Sequence, residues 1–163
     1  MEASKTVTQS KTQISQLMQP NFVNEAGTVF GGAILATADN VAYVCAARHA
    51  GPNCVTVSVD QVDFREPIYI GELVTFMASV NYIGRTSMEI GIKIFAEDLS
   101  TGKKRHTNSC YFTMVALNEF GKPTEVPQII PESPIEKRRM EEGHIRREFA
   151  KQLTEKRKSL KPL

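Results

Sequence analysis

The chain has 163 residues, of which 41% are hydrophobic and 23% charged, and its net charge is +2. This length suits one hydrophobic core with an appendage. No apolar run is long enough to cross a membrane, so we expect a soluble protein without membrane insertion. Residues 1–9 lack the apolar region of a secretory signal, and we therefore expect a cytoplasmic location.

The cysteines and histidines show no pattern typical of a metal site. Cys45, Cys54 and Cys110 have no CxxC spacing, and their odd number argues against a disulfide framework. The three histidines are scattered, without an HxxxH or HExxH pair. We expect three reduced core thiols and no bound metal.

The first eighteen residues contain one predicted element. Residues 1–10 are polar and lack periodicity, so we expect them to be mobile. A short strand is predicted over residues 11–18, before Pro20 ends it.

The most distinctive stretch is a long apolar helix. From Gly31 to Ala47 nearly every side chain is apolar or small. This composition predicts a helix that is buried on most of its circumference. Gly51 and the two residues after it predict that the helix ends at about Ala50.

Asp39 is the one charged side chain within that stretch. Burying an isolated carboxylate is costly, so Asp39 needs either a hydrogen-bonding neighbour or a chemical role. The neighbour could be Asn40, Thr37 or an adjacent strand. The helix also begins with Gly31 and Gly32, whose free N–H groups and positive dipole end could hold a carbonyl oxygen or an anion. The pairing of these two features favours a chemical role.

The spacing within the helix predicts a dimer. Gly31 and Asp39 are eight residues apart, which separates them by roughly 12 Å along one helix. One reacting carbonyl cannot contact both. If the Gly31 and Gly32 amides polarise the carbonyl, Asp39 must come from a second copy packed antiparallel about a two-fold axis. Two composite sites per dimer follow from this arrangement.

Asn24 lies in the loop that precedes the helix, over residues 21–30. An amide side chain there could donate to a carbonyl or orient a water molecule. Asparagine is equally typical of a turn. Both interpretations stay open at this point.

Four strands are predicted after the helix, because apolar and polar side chains alternate. The turns between them fall at Gly71, at residues 84–86 and at residues 100–102. A long antiparallel sheet curled around one apolar helix is an α+β arrangement. The predicted strands run over residues 55–64, 74–82, 88–94 and 110–116.

The C-terminal part is predicted to be a proline-rich connector followed by a helix. Residues 119–134 contain four prolines. Ser133-Pro-Ile-Glu136 is typical of a helix start, and Gly143 weakens the middle of that helix. Its thin apolar stripe consists of Ile135, Ile145, Phe149 and Leu153.

The same segment is basic. Residues 137–163 hold ten Lys or Arg and four Glu, a net charge of +6. Such a tail could bind phosphates non-specifically. It lacks aromatic interleaving apart from Phe149, so we favour a solvated helix that packs on a neighbouring subunit and expect no nucleic-acid binding.

Several motifs in order resemble those of hotdog-fold acyl-CoA thioesterases, and more narrowly the cytosolic acyl-CoA thioester hydrolase branch. The resemblance covers about residues 21–127. The motifs are Asn24-x-x-Gly27-x-x-Phe30-Gly31-Gly32, Asp39, Ala46-Ala47-Arg48-His49, Val57-x-Val59-Asp60-x-Val62-x-Phe64-x-x-Pro67 and Gly84-Arg85-Thr86-Ser87-Met88.

This resemblance implies a hotdog fold, with a curved antiparallel sheet wrapped around one long central helix. The hotdog acyl-CoA hydrolase domain would span residues 11–127, and residues 128–163 would form a linker and a basic C-terminal helix or tail. The family forms dimers with two composite sites and often trimers of dimers. The implied reaction is hydrolysis of acyl-CoA to a free acid and CoA without a cofactor, since CoA is itself substrate and product.

The resemblance also assigns roles. Asp39 would attack the thioester carbonyl or activate water, and both versions stay open. Gly31 and Gly32 amides would bind the developing oxyanion, and Asn24 would help to place water or substrate. Many relatives carry an acid after the catalytic aspartate, whereas this chain has Asn40, which we expect to tune rate or substrate rather than reaction class.

The turn from Gly84 to Ser87 resembles the segment that contacts the nucleotide end of CoA. A guanidinium can bind a phosphate with two hydrogen bonds, and hydroxyls and turn amides add donors. An exposed hairpin arginine is the alternative. The candidates are Gly84, Arg85, Thr86 and Ser87, with Arg65 and the Arg138-Arg139 pair as weaker ones.

Two other functions remain as alternatives. A non-catalytic acyl-CoA-binding or sensing hotdog protein would be expected to lose the carboxylate, yet Asp39 is present. A hotdog dehydratase would need a histidine in the site, and no histidine lies in the core of the predicted helix.

Overall fold

The structure is a computed structural model that describes residues 3–160. The helix predicted over residues 31–50 and the four long strands after it are confirmed. A short 3-10 helix, Pro20–Phe22, precedes the central helix. The other elements, in chain order, are β1 (Ser4–Thr6), α1 (Val7–Ser10), β2 (Thr12–Leu17), α2 (Gly31–Ala50), β3 (Cys54–Phe64), β4 (Leu73–Ile83), β5 (Ser87–Asp98), β6 (Lys103–Ala116), β7 (Gln128–Ile130) and α3 (Pro134–Ser159).

Five of the strands form one antiparallel sheet in the order β2-β4-β5-β6-β3. Successive hairpins join β4, β5 and β6, as expected where the connections are short. The connection from β3 to β4 crosses the sheet, so β3 forms one edge and β2 the other. The expected α+β class is confirmed.

The core lies between α2 and one face of this sheet. Alternate side chains of β4, β5 and β6 point toward α2, because successive residues of a strand face opposite sides. Removing this apolar surface from water is the main stabilising contribution, at roughly 25 cal/mol per Å². The buried residues include Ile34, Ala38, Val41, Ala42, Cys45, Val74, Phe76, Ile90, Ile92, Cys110, Phe112 and Met114.

We expected α2 to be buried on most of its circumference. In the single chain this prediction is wrong, because one face of the helix is exposed. Ala36, Asn40 and Tyr43 are exposed, and Tyr43 shows 41% of its surface. Residues at this spacing share one helix face. The sheet covers the opposite face, so this open face of α2 is free to meet another surface.

The N-terminal segment differs from the expected mobile tail. Residues 4–10 form β1 and α1, and Val7 and Ser10 are buried. Residues 1–2 and 161–163 lie outside the described part. β1 pairs in parallel with β7, so that Ser4 faces Gln128 across the ladder. No local sequence pattern predicts this pairing, because the two strands are more than 100 residues apart in the chain.

Helix α3 begins as predicted, with a capping box. The Ser133 hydroxyl accepts from the Glu136 N–H at 3.3 Å, and the Glu136 carboxylate accepts from the Ser133 N–H at 3.2 Å. The expected packing on a neighbouring subunit stays a prediction, since the apolar stripe of Ile135, Ile145, Phe149 and Leu153 is exposed in the single chain. The helix also packs on β4 of its own chain. Gly143 is buried there against Tyr82.

An ion pair between Arg146 and Glu89 connects α3 to the sheet. Arg146 donates to both carboxylate oxygens of buried Glu89, at 2.9 and 2.6 Å, and its guanidinium lies 3.9 Å from the centre of the Tyr111 ring. Beyond this point, residues 151–160 are exposed. Within residues 3–160, no helix has the length and apolarity needed to span a membrane.

Candidate active site at the start of the central helix

The loop before α2 is closed by Asn24. Its side-chain oxygen accepts from the Thr28 N–H at 3.1 Å, and its amide donates to the Thr28 hydroxyl at 3.0 Å. Gly27 completes the turn with a φ of +78°, a value that favours glycine. The turn-forming interpretation of Asn24 therefore holds in this chain. An amide has two N–H groups, so one remains for a ligand.

The first turn of α2 brings two exposed phenylalanine rings close to Gly31 and Gly32. A Cβ atom added to Gly31 would lie 3.1 Å from the ring of Phe64, and one added to Gly32 would lie 2.3 Å from the ring of Phe30. N–H groups in the first turn of a helix have no carbonyl partner within the helix. Together with the helix dipole, they provide a place for a developing negative charge.

A cavity of about 340 Å³ borders this helix start. Its wall includes Asn24, Gly31, Ile34, Arg65 and Asn108. The structure therefore brings together three predicted site residues: Asn24, Gly31 and the weaker phosphate candidate Arg65.

Asp39 lies farther along the same helix, on its partly exposed side. The Thr56 hydroxyl of β3 donates to the Asp39 carboxylate at 2.6 Å. An adjacent strand thus satisfies the carboxylate, which was one of the options left open. Helix α2 is continuous from Gly31 to Ala50, so the distance of roughly 12 Å between Gly31 and Asp39 holds within one chain.

Thr56 was missed by the sequence interpretation. The available signal was its position in β3, between Val55 and Val57, which places its side chain on the face opposite theirs. A hydroxyl there can orient a carboxylate on the helix that the strand covers.

The proposed CoA-binding residues lie near opposite ends of α2 in the single chain. The Gly84–Ser87 turn packs beside the end of β6, where the Ala116 N–H donates to the Thr86 carbonyl at 3.1 Å. Ala116 pairs with Cys54, just after α2 ends. Arg85 is exposed there, whereas Arg65 lies near Gly31 at the other end of α2. One chain does not bring these two arginines to the same site.

The remaining arginine candidates lie on the other face of the sheet. Arg138 and Arg139 border a cleft of about 650 Å³ between α3 and the sheet, together with Arg65 and Lys93. This cleft faces away from α2. The structure therefore does not place Arg138 and Arg139 with Asp39.

A second residue missed from the sequence is Asn108 on β6. It is 1% exposed, and neither polar atom of its side chain has a hydrogen-bond partner among residues 3–160. The signal in the sequence was a polar residue at the head of an apolar alternation, since Asn108 shares a face with Cys110, Phe112 and Met114.

The cysteines are free and buried, as expected of core thiols. Burial raises the pKa of Cys45 and Cys110 to about 12, and that of Cys54 to about 11. At neutral pH these side chains stay as thiols, and the thiolate is the nucleophilic form. The cysteines are therefore unsuited to nucleophilic catalysis.

Comparison with known proteins gives consistent matches. The family model of the thioesterase superfamily matches residues 26–103. Protein VdlD of Helicobacter pylori is 47% identical over 144 residues, which are 88% of this chain and 82% of that protein. An apo-hexameric acyl-CoA thioesterase superposes with a TM-score of 0.91 at 37% identity, covering 99% of this chain and 100% of the other.

The acyl-CoA hydrolase of Staphylococcus aureus, solved with butyryl-CoA and CoA, has a TM-score of 0.89 at 35% identity, covering 96% of this chain and 95% of that chain. Variants of that enzyme with one aspartate, one asparagine or one threonine changed to alanine have the same fold, with TM-scores of 0.90, 0.91 and 0.89. The chain described here therefore belongs to the thioesterase superfamily, among its hotdog-fold acyl-CoA hydrolases.

Proposed function

We propose that this protein hydrolyses acyl-CoA thioesters to free carboxylic acids and CoA. The observation that carries the proposal is the pairing of an Asp39 carboxylate, oriented by Thr56 at 2.6 Å, with a Gly-Gly helix start on the same α2. The S. aureus relative was solved with butyryl-CoA, a substrate of this class.

The mechanism uses two copies of the chain. The thioester carbonyl oxygen accepts from amides at Gly31 and Gly32 of one copy, which stabilise the oxyanion by about 3 kcal/mol per donor. Asp39 of the second copy either attacks the carbonyl carbon or removes a proton from an attacking water. The carbon–sulfur bond breaks, and the CoA sulfur leaves as a thiolate that takes up a proton. If Asp39 is the nucleophile, water then hydrolyses the acyl–Asp39 anhydride, which releases the free acid and restores the carboxylate.

Exposed apolar surface supports a homodimer. The open face of α2 carries Tyr43, and the neighbouring edge strand β3 exposes Val55, Val57 and Val59. An unpaired, apolar edge strand is suited to pairing with another copy. A similar acyl-CoA thioesterase is hexameric, and we extend the proposal to a trimer of dimers.

An antiparallel dimer also accounts for the split CoA-binding residues. It places the C-terminal end of one α2 beside the N-terminal end of the other. The Gly84–Ser87 turn and Arg85 of one copy then approach the helix start of the second copy, near its Arg65. We propose that these groups bind the phosphates of one CoA molecule, while the Arg138–Arg139 pair does not.

The proposed reaction needs no cofactor, since its nucleophile, base and oxyanion donors all come from the protein or from water. We propose that the protein is located in the cytoplasm, where free thiols such as its three described cysteines stay reduced. Binding or sensing of acyl-CoA without hydrolysis is not favoured, because it would give the Thr56–Asp39 pair no role.

The test is thiol release from acyl-CoAs of different chain length by the wild-type protein, Asp39→Ala and Asn40→Ala. Asp39→Ala should be slower by about 100-fold or more, since it removes the base or nucleophile. Asn40→Ala changes the neighbour that we expect to tune rate or substrate, so it should slow thiol release far less than Asp39→Ala does. Folding and oligomeric state are checked for each variant. A wild-type protein that binds acyl-CoA yet releases no thiol would reject the proposal.

A further inference from the structure

The side chain of Asn108 is unusual among the buried polar groups of this protein. It is 1% exposed and lies on the inward face of β6, where it pairs in register with Ile94 on one side and Phe64 on the other. Neither its side-chain oxygen nor its nitrogen has a partner within residues 3–160. A buried amide without partners lowers the stability of the fold.

Neighbouring buried polar groups are satisfied. The Thr107 hydroxyl donates to the Ile94 carbonyl at 3.2 Å. On the other face of the sheet, Asn81 donates to Glu89 at 3.3 Å, and Glu89 also accepts from Arg146. The unpartnered amide is therefore a feature of the Asn108 site and not of this sheet in general.

Asn108 lines the cavity at the start of α2, together with Asn24 and Gly31. Much of the remaining wall is apolar, with Ile34 and Ile68 among its members. Asn24 has an N–H group not used by Thr28. Two carboxamides thus border one small cavity beside the proposed oxyanion site.

The position of Asn108 relative to Gly31 follows from the strand register. Asn108 pairs with Phe64, and cross-strand neighbours have Cβ atoms about 4.5–5.5 Å apart. The Phe64 ring in turn packs over Gly31. Phe64 therefore connects Gly31 with Asn108, and all three residues border the same cavity.

We infer that Asn108, assisted by Asn24, binds a hydroxyl-type oxygen inside this cavity during the reaction. A carboxamide has donors and an acceptor, and a hydroxyl oxygen matches both. Two sources supply such an oxygen: the water molecule that hydrolyses the thioester, or a hydroxyl on the third carbon of the acyl group. The inference rests on the proposed hydrolysis of acyl-CoA.

If the oxygen is water, Asn108 accepts one of its hydrogens and donates to its oxygen. The other hydrogen is left for Asp39 of the second copy to remove as the oxygen bonds to the carbonyl carbon. If it is an acyl hydroxyl, the same contacts hold the substrate and select for it. A site that hydrogen-bonds a substrate hydroxyl discriminates strongly against the analogue that lacks it.

The test compares Asn108→Leu, which has nearly the same size without the amide, with wild type on butyryl-CoA and 3-hydroxybutyryl-CoA. We expect Asn108→Leu to keep or raise the Tm, because a buried unpaired amide is replaced by an apolar group. Its kcat should fall about tenfold or more at similar KM. A fall on both substrates identifies water, and a fall on 3-hydroxybutyryl-CoA alone identifies the acyl hydroxyl.

Two further variants distinguish a hydrogen-bonding role of Asn108 in the reaction from a structural role. Asn108→Ser keeps a hydrogen-bonding oxygen and should retain more activity than Asn108→Leu. Thr107→Val removes a satisfied buried hydroxyl on the preceding residue, so it should lower the Tm and leave kcat unchanged.

Wild-type kcat in Asn108→Leu on both substrates would overturn the inference. A lower Tm in Asn108→Leu with unchanged kinetics, as expected for Thr107→Val, would also overturn it and assign Asn108 a structural role. A wild-type protein that hydrolyses neither substrate would refute the proposed function itself, and the inference with it.

Discussion

Thr56 orients the carboxylate on which the proposed chemistry depends. Its hydroxyl donates to Asp39 at 2.6 Å, whereas the proposed oxyanion donors lie at the start of α2, before Asp39 in the helix. A hydrogen bond to a charged group contributes about 1.5–3 kcal/mol. Because Thr56 is exposed in the single chain, loss of this hydrogen bond should affect the orientation of Asp39 more than the fold.

Thr56→Val is predicted to lower kcat about tenfold and to leave KM nearly unchanged, since the group orients a catalytic carboxylate and does not bind CoA. Steady-state thiol release measures both constants. Ser100→Ala is a matched control, because the Ser100 hydroxyl donates to the Asp98 carboxylate at 2.6 Å in the turn between β5 and β6, outside the site. Equal kinetic effects of the two substitutions would contradict a specific role for Thr56.

His49 makes the stability depend on pH. It is fully buried near the end of α2, and its ring contacts the Pro127 carbonyl at 2.9 Å. Burial lowers the pKa of His49 below its ordinary value of 6.5. The unfolded chain therefore binds a proton at a higher pH than the folded chain, and the free energy of unfolding decreases as the pH falls below 6.5.

The Tm should therefore fall between pH 6.5 and about pH 5, a range in which carboxylates with ordinary pKa values stay largely ionised. His49→Gln retains a hydrogen-bond donor but does not titrate, so its Tm should change less over this range. Calorimetry at several pH values gives both curves. Parallel curves for the two proteins would show that another group is responsible.

At the scale of elements, α3 is held by a close crossing over β4. Gly143 permits this approach, since an added Cβ would lie 2.7 Å from the Tyr82 Cβ and 3.0 Å from a Glu89 oxygen. The low helix propensity of glycine suggested that Gly143 destabilises α3. The packing against Tyr82 instead shows why a glycine is required at this position.

Gly143→Ala is predicted to lower stability by about 1–3 kcal/mol through overpacking, although alanine favours an isolated helix by about 1 kcal/mol. Thermal unfolding measures the change. Gln152→Ala, in the exposed part of α3, supplies the control and should have little effect. A higher Tm for Gly143→Ala would mean that α3 does not pack closely on β4.

The ion pair between Arg146 and Glu89 provides a second contact between α3 and the sheet. Arg146→Gln leaves a buried carboxylate without its main partner, which should cost roughly 2–4 kcal/mol. The double variant Arg146→Gln with Glu89→Gln also removes the unpaired carboxylate. Denaturant unfolding should therefore give it a higher free energy of unfolding than the single variant has. No recovery in the double variant would show that the lost energy comes from packing on Tyr111 alone.

At the scale of the whole molecule, activity should depend on assembly. Val57 is 62% exposed on the edge strand β3. Val57→Lys places a charge where we propose that a second copy packs. A lysine on an edge strand disfavours pairing of that strand with another chain. We expect smaller particles in size-exclusion chromatography with light scattering, and a parallel loss of thiol release.

Leu99→Lys is the control for this substitution. Leu99 is also an exposed apolar residue, but it lies in the turn after β5. It should leave both assembly and activity unchanged. A Val57→Lys monomer with full activity would exclude a composite site.

Much of the local structure followed from sequence patterns. The alternation of β4 to β6, the apolar run of α2 and the Ser133 cap depend on neighbours within a few residues, and all three predictions were confirmed. The failures involve distant partners. The β1–β7 pairing, the approach of α3 to β4 and the exposed face of α2 each depend on which segments meet in space.

The candidate site divides in the same way. By itself, the sequence determined that Asp39 stands alone in an apolar helix and that two glycines open that helix, because residue type and helix rise are local properties. Only the tertiary structure decided that Thr56 orients Asp39 and that the unpaired amide of Asn108 borders a cavity with Asn24. Those contacts join strands to a helix and a loop remote in sequence, and the packing of the sheet on α2 creates them.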